Sequence, residues 1–397
     1  WDMPYCTNAP AVLPADEGAL ETHQWTRPCP PASPSASTLA VMSEMPPALG
    51  RVRPTVERRL EEILDDCRRR WEDLGQAAPE LLKAAESVLG GGKRMRAVLG
   101  AVGCALLTVP DHRAKRLTSA DAVHLGAALE LYQASALVHD DLMDGADTRR
   151  GLPAAHRAFA HDHDARGWLG RAQTFGANGA ILLGDLLLSL AGEEMSTLAG
   201  ARIARESGDG AARRARAAFD AMTTEVALGQ FLDVRSENLP LPWGQDPVAA
   251  AQRMHDDALS VVRHKSARYS VRHPLLIGAL LAGLDPHSPT AEHLAAFGEQ
   301  VGIAFQLPLA IFYLSTLHLV PYKVFREQWR YIYVGLLTLS AIVTPDASPV
   351  TMMLMFAALI SLYEAALAVA RMVITARDGR EALKWTREDY EAHAFEE

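Results

Sequence analysis

The segment His139-Asp140-Asp141-Leu142-Met143-Asp144, followed by Asp147-Thr148-Arg149-Arg150-Gly151, carries the densest chemistry in the chain. On a helix, Asp140 and Asp144 share a face one turn apart, and Asp141 joins them across three residues. Carboxylates packed this closely repel one another and cost stability unless a cation sits among them. Hard oxygen donors with room for water suit Mg²⁺, which takes one or two carboxylates and fills its remaining positions with water and phosphate oxygens. Arg149 and Arg150 can fork onto phosphate. Carboxylates, Mg²⁺ and arginines together imply a diphosphate ligand. A solvated acidic helix end is the competing reading. It fits poorly, because the flank 134–138 is apolar and the acids sit at the mouth of something greasy. A second signal is Gly90-Gly91-Gly92-Lys93-Arg94-Met95-Arg96. Glycines let backbone approach an anion, and the three cations supply its counter-charge. The spacing is not that of a P-loop. Beside the aspartate cluster it suggests a second phosphate pocket, held by cations directly.

Helices must position both segments. From 51 to 304 apolar residues recur at spacings of three and four, as in Leu60-Ile63-Leu64 and Leu125-Leu129-Tyr132. No period-2 strand stands out. Breakers fall at Gly90-Gly91-Gly92, at Gly151-Leu152-Pro153 and through 238–247. The pattern predicts an all-α bundle around a central cavity. The proline-rich stretch 1–50 is expected to be a disordered tail, without the basic and apolar regions of a secretory signal.

Composition agrees with a folded chain. Of 397 residues, 49% are hydrophobic and 22% charged, and 39 Lys+Arg against 48 Asp+Glu give a net charge of −9. These values exclude a wholly disordered chain, a collagen-like fibre and a basic nucleic-acid binder, so no nucleic-acid partner is expected. Cys6, Cys29, Cys67 and Cys104 are scattered and form no C-x-x-C pair, which argues against a disulfide scaffold or structural zinc. A reducing, cytoplasmic setting is the default.

Near the C-terminus the character changes. Segments 300–322, 331–345 and 347–363 contain no Asp, Glu, Lys or Arg. A membrane span needs about 20 apolar residues. The first run reaches that length, the second is short, and the third reaches it if Glu364 lies near an interface or in a protein groove. Lys323, Arg326 and Arg330 precede the second run; Arg371, Arg377, Arg380, Lys384 and Arg387 follow the third. In a hairpin both basic segments fall on one side, which the positive-inside rule makes cytoplasmic. Buried core helices would give the same charge-free runs.

Residues from about 55 to 306 resemble the polyprenyl synthetase family, the trans-isoprenyl diphosphate synthases, and within it the short-chain farnesyl and geranylgeranyl types. The family's D-D-x-x-D matches Asp140, Asp141 and Asp144. Its G-G-K-R-x-R matches 91–96 and its R-R-G matches Arg149-Arg150-Gly151, with His156 downstream. G-Q-x-x-D matches Gly229-Gln230-Phe231-Leu232-Asp233, and K-T/S matches Lys265-Ser266. The resemblance implies an isoprenoid-synthase-like helical bundle, commonly a homodimer, that condenses isopentenyl diphosphate with an allylic diphosphate. Mg²⁺ held by Asp140, Asp141 and Asp144, with Arg149, would bind the allylic diphosphate. Lys93, Arg94, Arg96 and Arg150 would bind isopentenyl diphosphate. Gln230, Lys265 and Ser266 would complete the substrate contacts, Lys265 also acting in catalysis. Gln133 stands where the family often has His; it keeps hydrogen bonding and loses a possible cation. The product would grow past Ala136 and Ser135 toward Tyr132, which would set chain length.

The resemblance stops at Gly302-Ile303-Ala304-Phe305-Gln306. The family's second Asp-rich motif should follow, but no acid occurs before Glu327, and D-D-x-x-D is found nowhere else in the chain. Residues from about 298 to 372 instead resemble the last three membrane helices of TatC, a subunit of the twin-arginine translocase. Phe305-Gln306-Leu307-Pro308, the Arg330-Tyr331 junction, the turn Thr344-Pro345-Asp346 and Leu362-Tyr363-Glu364 carry that likeness. TatC has Glu where this chain has Gln306.

The expected organisation is a tail 1–50, a synthase-like domain 51–306 ending before its second motif, TatC-like hydrophobic helices 307–372, and a polar tail 373–397. The expected function is a prenyltransferase impaired by the missing motif, cytoplasmic and attached to a membrane through 300–370. A TatC-like component of protein export and a non-catalytic prenyl-diphosphate binder are the competing functions.

Overall fold

In a computed structural model of the chain, the residues described are 47–386 and 389, apart from 206–209, 241–245, 305, 307–310, 313–314, 316–319 and 344–348. Residues 1–46 of the expected proline-rich tail, about half of the first apolar run, and the Thr344-Pro345-Asp346 turn therefore lie outside the described residues, whereas 47–50 are helical with Ala48 buried, so the folded part begins a little before the expected boundary at 51.

The architecture is all-α. Helices α1 (Val52–Arg70), α2 (Ala77–Leu89), α3 (Met95–Ala105) and α4 (Pro110–Arg116) lead into α5 (Ala120–Met143). Ser119 caps α5, accepting a hydrogen bond from the Ala122 amide at 3.4 Å, and Asp121 adds negative charge to its first turn. Leu125, Ala127, Ala128, Leu129 and Leu131 are all fully buried, so the middle of α5 is enclosed on nearly every side and forms the centre of the bundle. Its C-terminal end delivers the aspartates to the surface of the core.

One departure from the sequence reading follows α5. Thr148–Arg149 pairs antiparallel with Leu152–Pro153, so the chain has a small β-ribbon where no strand was expected. Arg150 and Gly151 both have positive φ, 53° and 79°. Two left-handed central residues make the tight hairpin turn whose twist suits short paired strands. The turn holds Arg149 half-buried and Arg150 exposed.

Helices α6 (Ala155–Ala165), α7 (Ala172–Arg205) and α8 (Ala211–Glu237) follow, with α7 packed against both α5 and α6. Asp246 caps α9 (Pro247–Val261), which runs directly into a π-helix, Val262–Arg272, and then into α10 (His273–Leu281). Helix α11 (Pro289–Ala304) lies on the π-helix. A Cβ on Gly302 would stand 2.3 Å from the Ala267 carbonyl oxygen, so only glycine permits this approach.

Beyond α11, short α12 (Tyr322–Glu327) precedes the hairpin of α13 (Trp329–Val343) and α14 (Pro349–Arg377). Leu336, Leu359, Tyr363, Ala366 and Leu367 form its own apolar core, which also takes in Ala304 at the end of α11. Arg326 and the Tyr333 hydroxyl both reach Glu364, at 3.0 and 2.7 Å. Glu364, still partly exposed, is thereby paired within the hairpin. Among the described residues, two helical stretches are long and apolar enough to cross a membrane, Ala172–Leu198 in α7 and Leu359–Arg377 in α14. The first contributes Leu183, Leu187 and Met195 to the bundle core, as a buried helix of a globular fold does. Helix α13 has 15 residues, short of a span, as its sequence suggested.

Candidate active site

Asp140, Asp141 and Asp144 end α5, but their partners differ. Asp141 is buried, and both its oxygens accept from Arg149 Nε at 2.9 Å. Arg149 is thereby held charged. Asp140 accepts from Gln230 Nε2 at 3.1 Å and lies 3.2 Å from Lys265 Nζ. Lys265 Nζ also stands 2.5 Å from Asp233. Burial works against the lysine's charge, but the hydrogen bond it donates to Asp233 and the nearby Asp140 outweigh it and raise its pKa. Burial pushes the Asp144 carboxyl upward, and repulsion from Asp140, Glu237 and Asp233 adds to this. Such crowding is the mark of carboxylates short of a counter-cation.

Those carboxylates bear on Mg²⁺. Among the described residues no group of three or more His, Cys, Asp or Glu side chains is placed to hold a metal ion. Asp141 is occupied by Arg149, which leaves Asp140 and Asp144. A pair of carboxylates fits Mg²⁺ bound together with substrate phosphates and water, and does not make an all-protein cage.

Gln230 and Asp233 lie on α8, and Lys265 on the π-helix. A Cβ on Gly229 would stand 2.7 Å from both the His264 carbonyl carbon and the Lys265 nitrogen. That glycine lets the two helices touch backbone to backbone, and so lets Lys265 reach Asp140.

Under the aspartates opens a cavity of about 830 Å³. Tyr132, Ser135 and Ala136 of α5 line it with Ile181 and Leu188 of α7 and Val226 and Phe231 of α8. The three expected chain-length residues thus share one mostly apolar chamber. Tyr132 is fixed: its hydroxyl donates to the Thr223 carbonyl at 3.2 Å, and its ring meets Phe219 and Tyr269 edge-on at 6.2 and 5.6 Å. Burial raises its phenol pKa, so it stays neutral.

The basic segment divides. Lys93 is exposed. Arg96 donates through Nη2 to Ser270 Oγ at 2.8 Å and stacks on Tyr269 at 4.1 Å. Burial pushes the Tyr269 phenol up to about 12, so the contact is guanidinium on a neutral ring. Arg150 Nη1 donates to the Gly90 carbonyl at 2.8 Å, tying the ribbon to the glycine turn. Arg94 departs from the substrate-binding expectation. It is 7% exposed, has φ 53°, and turns inward to Glu130 at 3.5 Å and Glu57 at 3.6 Å. Glu130 also accepts from the Ala97 amide at 3.2 Å, so the arginine serves the start of α3. Gln133 and Ser266 are half-buried. His156 is buried, and desolvation lowers its pKa.

Sequence reasoning missed Tyr269 and Ser270, which hold Arg96 from far along the chain, and Glu130, which claims Arg94. No local spacing could have found them. The site is also one-sided, since helix α11 ends at Ala304 with no carboxylate following in sequence before Glu327.

The TatC family model, described as Sec-independent protein translocase protein, matches residues 292–357. Protein TatCt of Haloferax volcanii is 42% identical over 82 residues, 21% of this chain and 11% of that protein. Geranylgeranyl pyrophosphate synthase 11 of Arabidopsis thaliana is 30% identical over 227 residues, 56% of this chain and 52% of that protein. The chain thus spans about half of that relative's length. Among solved structures, geranylgeranyl pyrophosphate synthase of Corynebacterium glutamicum, complexed with isoprenyl diphosphate and magnesium, superposes with a TM-score of 0.57. It is 26% identical and covers 84% of this chain and 96% of its own. The polyprenyl synthetase family model matches residues 78–308, more than half of the chain, and shares 292–308 with the TatC match. The chain therefore belongs to the polyprenyl synthetase family and carries a TatC-like segment at its end.

Proposed function

We propose that the chain binds an allylic diphosphate at Asp140 and Asp144 and extends it by one isopentenyl unit, slowly. The observation that carries this is the mostly apolar cavity of about 830 Å³ lined by Gln230, whose amide donates to Asp140 at 3.1 Å, so that the chamber adjoins the charged cluster in which Lys265 and Arg149 meet Asp140. A prenyl tail fits the chamber and its diphosphate fits the mouth. Asp140 and Asp144 would hold Mg²⁺, which when bound offsets the charge that builds on the diphosphate. Lys265 and Arg149 hold the same oxygens directly. Lys93, Arg96 and Arg150 hold isopentenyl diphosphate beside them. The allylic C–O bond breaks with its electron pair leaving on diphosphate. The isopentenyl double bond then attacks the allylic carbon, and the proton lost from the adduct goes to the departing diphosphate. Tyr132, packed against Phe219 and Tyr269, stops the growing chain.

The slow rate follows from the one-sided site. Charge stabilisation that appears only in the transition state sets the rate. Losing one such contact costs about 10²–10³, and a whole carboxylate cluster is missing after Gln306. Incubating the full chain with radiolabelled isopentenyl diphosphate, an allylic primer and Mg²⁺ tests this. Labelled prenyl product at a low rate is expected; no product over prolonged incubation would leave a binder only.

A second reading concerns the end of the chain. The spanning-length stretch Leu359–Arg377 and the separate apolar core of α13 and α14 favour a two-part organisation, with synthase helices up to about 306 followed by a membrane-seeking hairpin. Lys323, Arg326 and Arg330 lie at the same end of that hairpin as Arg371, Arg377, Arg380 and Lys384, which suits a cytoplasmic membrane face. Sedimentation with membranes, abolished by deleting 307–397, tests it. Exposed Leu182 and Leu228 on α7 and α8 support a homodimer through the helical domain.

A further inference from the structure

The π-helix Val262–Arg272 carries site residues on one side and meets a network of charges on the other. Glu225 stands on α8, one turn before Gly229. One of its oxygens accepts from His264 Nδ1 at 2.6 Å and from Arg268 Nη1 at 2.8 Å. The other accepts from His273 Nε2 at 2.7 Å. Arg268 continues through Nε to Glu299 on α11 at 2.8 Å. Burial opposes ionisation of Glu225, but the hydrogen bonds from His273, Arg268 and His264 outweigh it and hold the carboxyl well below the usual range.

The register of this segment is unusual and has consequences. Most π-helical geometry occurs as single-turn bulges, frequently at functional sites, whereas this stretch runs for 11 residues. An uncommon backbone persists only where its surroundings over-determine it. Bonding five residues apart brings Lys265 and Ser270 toward one face. On an α-helix the same two positions would point about 140° apart. Lys265 reaches Asp140 and Asp233, while Tyr269 and Ser270 hold Arg96. One segment thus presents a cation to the aspartate mouth and steadies a cation in the basic segment. Gly229 and Gly302 let α8 and α11 close on it from two sides.

We propose that Glu225 is a positioning residue: by anchoring the π-helix it sets Lys265 and Arg96 together, and so joins the pocket for the allylic diphosphate to the pocket for isopentenyl diphosphate. This rests on the reading of the site under Proposed function. Glu225 touches neither ligand. Its loss releases three donors at once, and the segment relaxes toward an α-helical register that turns Ser270 away from Arg96 and Lys265 away from Asp140.

The test uses the full chain and calorimetry with two probes titrated separately, geranyl diphosphate with Mg²⁺ and isopentenyl diphosphate. Glu225→Gln is expected to weaken both by about tenfold, the scale of a site displaced by a fraction of an ångström. Glu194→Ala is the structural control. It cuts the tie of α1 to α7 far from the site and should lower Tm at least as much, with both affinities within about twofold of the parent, since distant sites act independently. Parent-like binding by Glu225→Gln, or loss of one ligand alone, overturns the proposal while leaving the site reading intact. Failure of the parent chain to bind either probe overturns both. If Glu225→Gln does not fold, His264→Ala removes one of the three donors and is read by the same criteria.

Discussion

Replacing Gly229 with alanine should damage the site although alanine is the better helix former. In a helix interior the exchange gains about 1 kcal/mol. Here the new Cβ would lie 2.7 Å from the His264 carbonyl carbon and the Lys265 nitrogen, and 3.1 Å from the His264 oxygen. All three are backbone atoms, so no side chain can swing aside. Carbon contacts settle near about 3.5–4.0 Å, so the π-helix must retreat by close to 1 Å. Overpacking of this kind costs about 1–3 kcal/mol. The retreat also stretches the Lys265 contacts to Asp140 and Asp233, now 3.2 and 2.5 Å, and a charged hydrogen bond contributes about 1.5–3 kcal/mol. The net expectation is a destabilisation of about 2 kcal/mol, after subtracting the helix gain. The assay is the urea midpoint of the synthase transition at unchanged m, with geranyl diphosphate affinity measured on the same samples. A variant about 1 kcal/mol more stable than its parent, binding the ligand equally well, would refute the claim that α8 and the π-helix meet backbone to backbone.

Three other outcomes follow from the same geometry. Glu194 is 3% exposed and joins Arg59 at 2.9 Å to His124 at 2.6 Å; Glu194→Ala should cost about 3 kcal/mol in a urea titration, because it breaks a buried ion pair across α1 and α7 and leaves Arg59 only the exposed Glu62 at 3.1 Å. Tyr132→Ala opens the cavity past Phe219, so longer allylic diphosphates should gain affinity relative to short ones, read by competition binding. Glu225 has a folded pKa below its unfolded value of about 4.3, so the unfolded chain binds more protons in that window and stability rises with pH through it. This stabilisation is complete above that pH and fades as pH falls through the folded value, and Glu225→Gln should flatten the acid limb of the stability curve.

The bundle was legible because helix periodicity repeats over hundreds of residues, and the aspartates because three carboxylates in a short segment demand a cation. Their individual roles were not. Asp140, Asp141 and Asp144 look alike in sequence, yet Asp141 is bound by Arg149 from the ribbon while Asp140 faces Lys265. Arg94 and Arg96 stand two apart in a basic run, and only tertiary partners decide that Glu130 draws one inward and Tyr269 holds the other at the site. The ribbon escaped notice because its strands are two residues long, below any detectable alternation, and its turn depends on Arg150 taking a left-handed conformation. The π-helix has no sequence signature at all. The gap after Gln306 was plain, since an absent carboxylate motif can be read directly from residue types.

An allylic diphosphate held through Asp140 and Asp144 is the centre of the proposed chemistry. Calorimetry of geranyl diphosphate into the full chain, with Mg²⁺ or with EDTA, and into Asp140→Asn/Asp144→Asn, measures this. The prediction is binding that requires Mg²⁺ and disappears in the double variant. Binding of equal strength in EDTA, or in the double variant, would contradict it.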